Sequence, residues 1–556
     1  MWKKYFPASE WLPLYTLKIF ATDALSGITL AAYAIPVSLA YAMLAGLPPQ
    51  YGVYGYLLGG LFYAMLGTGR QLAIGPTAAI SLLIGTTIAG LAHGDVQRWA
   101  DIASLTALIF AVMSIVAYLL RLNSVVNFIS ETVLLGFKAG AAIAIGLTQL
   151  PKLFGFTGGG ANFSEQLKML FYQLPETNYS ILIFGILAIV ALIVGEKLLP
   201  GRPVAIIIVI ISTILISFTS LRYVGFKTVG LMPSGLPQLH LPSMVGQDMY
   251  KVIPLAFACF LLAYIESVSA AKTLAQKNGY EIDPHQELLA LGVANIAVAL
   301  GQGYPVSGGL SQSAVNDKAG AKTPMSLLVA SAVIALCLLF LTGMLKNLPN
   351  VILAAIVLVA IRGLVDLKEF NHLRKIHRQD FVIALITLFG VLIFGILNGV
   401  LIAAIITLLL MIKSVSKPHI AFLGRIPGTK RYTDIGRHPD NEIIPGVLLF
   451  RVEASVLYFN VENIRNTIWS KILLSDPSLK TVIWDLSSSP YVDLAGAKLI
   501  RRLYQDLAAK GISFKIAEAY FEVRDTLRAE GLEHLFGHIS RKASVSDLVD
   551  DCIKHE

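Results

Sequence analysis

The stretch Tyr304–Thr323, "YPVSGGLSQSAVNDKAGAKT", separates two long apolar runs, Leu288–Leu300 and Met325–Met344. It holds Pro305, the pair Gly308-Gly309, three serines, Gln312 and Asn316. Either it is an ordinary loop, or it is a polar site kept inside a membrane. The two readings predict different folds, and the rest of the chain decides between them.

Of 556 residues, 55% are hydrophobic and only 14% are charged. A soluble globular protein is about 25% charged. The composition therefore indicates a polytopic membrane protein in a lipid bilayer. The net charge of +9 then reflects Lys and Arg in cytoplasmic loops. No basic patch is interleaved with aromatics, so nucleic acid is not an expected partner. Cys259, Cys337 and Cys552 have no metal or disulfide spacing. The first two read as small buried hydrophobes. The ten histidines are scattered without HExxH-like spacing, so neither a metal nor a cofactor is expected. The N-terminal "MWKKYFPASEWLPLYTLKIF" reads as an amphipathic lead-in to the first span.

A spanning helix needs about 20 apolar residues. The pattern predicts spans near 24–46, 50–67, 73–91, 102–120, 131–150, 179–198, 203–220, 252–274, 286–301, 306–317, 325–345, 348–364, 380–396 and 397–413. These are fourteen segments, an even number, so both termini share a side. With Lys3, Lys4 and Lys18 cytoplasmic, alternate loops should be basic. They carry Arg70, Arg121, Lys197 with Arg202, Lys272 with Lys277, Lys318 with Lys322, and "LKEFNHLRKIHR" at 367–378.

Three domains of different character follow from this division. Residues 1–413 form the transmembrane part. Residues 414–440 are polar, basic and turn-rich and read as a linker. Residues 441–556 alternate strand patterns such as "VLLFRVEA" and "TVIWDLS" with amphipathic helices such as "AGAKLIRRLYQDLAAKG". That alternation predicts a small α/β domain. Within it, Asp485 falls at a strand end and Asp493 before a helix, where an N-cap is its commoner role.

The third span opens "QLAIGPTAAISLLIG" and the tenth "GYPVSGGLSQSAV". Both are short, interrupted by Pro and Gly, and polar at the start. Paired breaks at matching positions point to a transporter site built from half-helices. A helix that begins in mid-membrane leaves unpaired N–H groups and the positive end of its dipole there. Two such ends make an anion site without a cation. Pro76 suits a first turn, and Thr77 and Ser81 add hydroxyls. Ser307, Gly308 and Gly309 allow close backbone approach, and Ser311, Gln312 and Ser313 offer donors. The alternative is tight packing of small residues.

Glu266 lies inside "ACFLLAYIESVSAAKTLA". A carboxylate there costs ~3 kcal/mol on insertion scales, so it is rarely without a role. Burial favours the neutral form of such a group, which makes Glu266 a candidate proton carrier. Asp23, Glu131 and Glu281 fall near span ends and read as interfacial. Lys138 and Arg362 read as structural, with Lys138 snorkelling to the cytoplasmic face or pairing with an acid.

These residues resemble the SulP anion transporters. "DALSGITLAAYAIPVSLAYAMLAGLPPQYGVYG" (23–55) is similar to the family's first-span signature, with its Pro-Pro and Tyr-Gly-x-Tyr elements. "LAIGPTAAISLLIG", "YIESVSAAKTLAQKNGYEIDPHQELLALGVANI" and "YPVSGGLSQSAVNDKAGAKT" resemble the third, the eighth with ninth, and the tenth spans. The tail looks like the STAS domain of such transporters, in a compact form. The resemblance implies two inverted seven-segment repeats, with a core domain rocking against a gate domain, and a homodimer. It implies a small-anion substrate and a site gathering Tyr33, Val37, Thr77, Ala78, Glu266, Ser311 and Gln312. Two positions depart from the family pattern. Gln312 stands where many relatives have Arg, which removes a fixed cation and gives weight to a monovalent anion. Val37 stands where Gln is frequent. In the tail, the turn Asp493-Leu494-Ala495-Gly496 lacks the hydroxyl residue that related anti-sigma-factor antagonists phosphorylate.

The expected activity is secondary active transport of a small inorganic anion, sulfate first, coupled to protons through Glu266. Sodium-coupled transport of bicarbonate or a dicarboxylate, a nucleobase permease, and a non-transporting anion sensor are the alternatives. In the sensor reading the tail recruits a cytoplasmic protein. No nucleophile–base pair, phosphate loop or metal constellation indicates an enzyme.

Overall fold

The computed structural model describes residues 6–92, 95–122, 131–160, 162–199, 202–219, 225–243, 246–475, 479–536 and 543–554. Lys3 and Lys4 lie outside them. The chain divides into two compact units, Met1–Thr407 and Leu408–Glu556.

Among the described residues, fourteen segments lie near the positions the hydropathy pattern predicts. Segments one and two are Leu17–Leu44 and Pro49–Leu66. The third is a short strand, Ile74–Gly75, followed by the helix Ala78–Ala92. The fourth to ninth are Val96–Leu119, Glu131–Phe154, Tyr179–Leu198, Val204–Phe218, Gly246–Asn278 and Pro284–Leu300. The tenth repeats the form of the third: a strand, Ser307–Gly308, then the helix Leu310–Lys318. The last four are Met325–Phe340, Asn350–Ile361, Arg378–Phe394 and Ile396–Ser416. Among the described residues, six helices are long and apolar enough to cross a membrane alone. The rest are short or broken, which a bilayer tolerates only where neighbours cover the backbone.

Local chemistry sets the ends. Thr16, Asp95, Asn178 and Asp283 each accept a backbone N–H at a helix start. Pro49 occupies a first turn, where a missing N–H costs nothing. Two short helices, Phe163–Gln173 and Leu367–Ile376, occupy loops the hydropathy pattern leaves unassigned.

Packing sorts the segments into two bundles. Segments one to four pack with eight to eleven and form the core domain. Segments five, six, seven, twelve and thirteen pack with one another and form the gate domain, in two inverted seven-segment repeats overall. Large exposed apolar side chains crowd the gate helices, among them Leu187, Leu198, Phe218, Phe389 and Ile393. That surface suits lipid rather than water.

The second unit carries a five-stranded sheet. Its order is Tyr432–Asp434, Ile420–Arg425, Val447–Val452, Thr481–Asp485 and Ser513–Ala517. The first two junctions are antiparallel and the last two parallel. Alternating side chains face opposite ways. Phe450 and Trp484 pack into one core with Ile468 and Leu503, while Leu449 and Ile483 face Val549. Asp493 is an N-cap: its carboxylate accepts the N–H of Gly496 and of Tyr458, each at 2.8 Å. The reading of 414–440 as a linker needs correcting. Residues 420–425 and 432–434 are strands, because Ile420–Leu423 pairs with Leu449–Val452 and extends the sheet.

Candidate functional site

The two broken segments meet. Ile74 pairs with Gly308 and Gly75 with Ser307, in an antiparallel bridge two residues long. The bridge satisfies part of the backbone that the breaks expose, and buried side chains satisfy more. The Asn295 amide donates to the Val306 carbonyl at 3.1 Å and accepts the Val306 N–H at 2.9 Å. Ser267 Oγ accepts the Gly308 N–H at 2.7 Å, and Ser313 Oγ accepts the Ala73 N–H at 2.9 Å. Ser104 donates to the Gly303 carbonyl and Asn316 to that of Gln71. "YPVSGGLSQSAV" is thus a fully buried break followed by a half-helix, not a surface loop.

The glycines of the break permit this approach. A Cβ on Gly75 would run into the Tyr56 ring, and one on Gly308 would meet the Leu72 side chain at 2.8 Å. Gly75→Val should therefore cost about 1–3 kcal/mol through overpacking. The expected result is a lower melting temperature in detergent together with weakened anion binding. An unchanged protein would show that the bridge tolerates separation.

From the bridge, the half-helices start toward a common cavity of about 110 Å³. In each, the first intrahelical bond comes four residues in, Ser81 N–H to Thr77 O and Ser313 N–H to Gly309 O. The N–H groups of the opening turns have no partner within the helix. Pro76, Thr77, Ala78, Ala79, Gly309, Leu310, Ser311 and Gln312 form that side of the cavity. Glu266 faces them. Ser307 Oγ donates to its Oε2 at 3.2 Å and lies 3.4 Å from Thr77 Oγ1.

All seven residues singled out in the sequence line this one cavity: Tyr33, Val37, Thr77, Ala78, Glu266, Ser311 and Gln312. Gln312 differs from the others in its commitments. It is 3% exposed, and its amide nitrogen donates to the carbonyls of Ala73 at 3.1 Å and Ser307 at 3.4 Å. It ties the tenth segment to the third. Sequence reasoning missed Tyr41, Ser269 and Thr273 and read Lys138 as structural; all four also line the cavity. Tyr41 lies one helical step beyond Tyr33 and Val37, and Thr273 two turns beyond Glu266. Following the i, i+3 and i, i+4 spacing would have found Tyr41 and Thr273. The opposite wall is Ala360, Gly363 and Leu364, at the end of the twelfth segment.

Two further carboxylates brace the surroundings. Asp23 is fully buried. It accepts the N–H groups of Lys322 and Thr323 and the Thr323 hydroxyl, at 2.6–3.2 Å. Glu287, on the ninth segment, is also fully buried.

Comparison with known proteins agrees with this architecture. The Sulfate permease family profile matches residues 20–387, and the STAS domain profile residues 438–546. The chain is 32% identical to "Sulfate transporter 4.1, chloroplastic" of Arabidopsis thaliana, over 99% of its own length and 83% of that protein's. It is 31% identical to a probable sulfate transporter of Mycobacterium tuberculosis, over 92% and 93% of the two chains. The solved structure of SLC26A9 superposes with a TM-score of 0.90 at 23% identity, covering 100% of this chain and 93% of that one. A STAS domain thus follows a multi-pass helical membrane part, and the chain belongs to the sulfate permease family, a family of transporters rather than enzymes.

Proposed function

We propose that this protein is a secondary active transporter of small inorganic anions, with sulfate as the first substrate and a proton carried on Glu266. The observation that carries the reading is the convergence of two half-helix N-termini and one carboxyl on a single cavity. Helix N-termini bind anions through N–H groups and dipole together. A carboxyl beside them repels the anion when ionised and admits it when protonated, which links anion and proton movement. Transport proceeds by rocking of the core, which carries the half-helices, against the gate, whose twelfth segment closes the cavity. The relatives named as sulfate transporters support sulfate over other anions.

Two helix N-termini facing one cavity suit an anion better than a neutral nucleobase. The proposal extends to a homodimer in a cell membrane, with both termini and the STAS domain cytoplasmic and the STAS domain open to a protein partner.

The test is uptake of radiolabelled sulfate, bicarbonate, fumarate and uracil into proteoliposomes, under separate proton and sodium gradients. Sulfate accumulation driven by an inward proton gradient, and indifferent to replacing sodium by potassium, is the expected result. Sodium dependence would move the coupling ion. Uracil uptake without anion uptake would overturn the reading, and anion binding without flux would make the protein a sensor.

A further inference from the structure

Lys138 lies on the fifth segment, which packs in the gate bundle against segments twelve and thirteen. Its side chain nevertheless lines the cavity whose other wall is made by the core half-helices. It is partly buried and is the one Lys or Arg among the described cavity-lining residues. Among the described residues its ammonium forms no hydrogen bond or close ion pair. Glu266 lines the same cavity, and its carboxylate is bonded to Ser307. The flanking Gly136 and Gly140 pack closely against the backbone of the thirteenth segment, at Ala384 and Leu388. That contact fixes the helix face and aims Lys138 away from the thirteenth segment. A snorkelling lysine would reach for water; this one lines the cavity across from the half-helix N-termini.

Charge counting assigns it a task. Each helix N-terminus carries about half a positive charge, so the pair supplies about +1. With Glu266 neutral, a monovalent anion is balanced by the helix ends alone. A divalent anion leaves about −1 uncompensated, which is costly in a low-dielectric cavity. One ammonium on the opposite wall removes the deficit.

We propose that Lys138 is an anion-binding residue contributed by the gate, and that it makes the site competent for divalent oxyanions such as sulfate. The inference rests on the transport reading above. It adds that the anion is held between the two bundles, with core dipoles on one side and the gate ammonium on the other.

The experiment uses the full-length protein purified in detergent, with binding of inorganic sulfate and of bicarbonate measured by calorimetry. Lys138→Met and Lys138→Gln should lose about ten- to a hundredfold in sulfate affinity, as expected for a charge-assisted hydrogen bond. Bicarbonate affinity should change far less, and Lys138→Arg should retain sulfate. A structural lysine would instead give equal losses for both anions, or none, and either result overturns the proposal. Failure of one neutral variant to fold leaves the other neutral variant and the arginine variant to decide. A wild-type protein that binds neither anion overturns the transport reading together with this one. Wild-type binding with unaltered binding in the variants overturns the lysine assignment alone.

Discussion

Glu266→Gln should abolish the accumulation of sulfate that an inward proton gradient drives, leaving only downhill equilibration, while sulfate still binds. The expectation follows from the geometry. Glutamine matches glutamate in shape, and its amide oxygen can keep the hydrogen bond that Ser307 donates at 3.2 Å. The half-helices do not depend on the carboxyl for their position. The Ile74–Gly75 and Ser307–Gly308 bridge, the Asn295 clamp and the Gln312 tie remain. What glutamine cannot do is gain and lose a proton. The variant should resemble a carrier frozen in its protonated form: loaded, able to exchange anion down its own gradient, but blind to pH. The check is paired, with radiolabelled sulfate uptake at imposed pH gradients and equilibrium binding in detergent. Gradient-driven uptake at the wild-type rate would remove Glu266 from the coupling mechanism.

The second large effect belongs to stability. Glu287 accepts four hydrogen bonds, from Tyr63 Oη at 2.8 Å, Thr68 N–H at 2.8 Å, Thr68 Oγ1 at 2.6 Å and Gly69 N–H at 3.3 Å. All four donors belong to the end of the second segment and the turn "LGTGR" that leads into the third. Glu287→Leu leaves them without their acceptor. A buried donor left unpaired costs about 1–3 kcal/mol, so the total should exceed about 3 kcal/mol even if some donors find new partners. Much of the protein should fail to reach the folded state, and the remainder should melt far below wild type in detergent. Glu287→Gln keeps an acceptor oxygen and should fall between. A leucine variant that melts with wild type would mean that the turn is held by something else.

The two carboxyls show what the sequence discloses and what it hides. Glu266 is legible because it stands alone in mid-span, where an acid needs a reason. Glu287 is more deeply buried but follows "EIDPHQ", so it passes for one more polar residue at a helix start. Its burial depends on Tyr63 and Thr68, about 220 residues earlier, and no local pattern reports that. Asp23 hides in the same way, paired with a turn at Lys322 and Thr323. The broken third and tenth segments are legible because Pro, Gly and Ser in an apolar chain have few other uses. That the breaks pair as strands is not, since two residues carry no periodicity. The spacing of Tyr33 and Val37 extends to Tyr41, yet nothing in "LLGFKAGAAIAIG" distinguishes a lysine facing an interface from one facing a cavity. In the tail, the strand Ile420–Arg425 escapes because charged and turn-forming neighbours mask a short apolar run.

The two-residue bridge also bears on how the protein is made. Thr77 and Ser307 are separated by 230 residues of chain. At about 5–20 residues per second, the ribosome needs on the order of 10–50 s to supply the second strand after the first. During that interval the peptide groups of Ile74 and Gly75 have no partner strand, and hydrocarbon offers none. The third segment therefore has to wait near the water interface, or under borrowed cover, until the tenth arrives. Substrate recognition is then among the last features to form during biogenesis, and a nascent chain released before Ser307 lacks an anion site altogether.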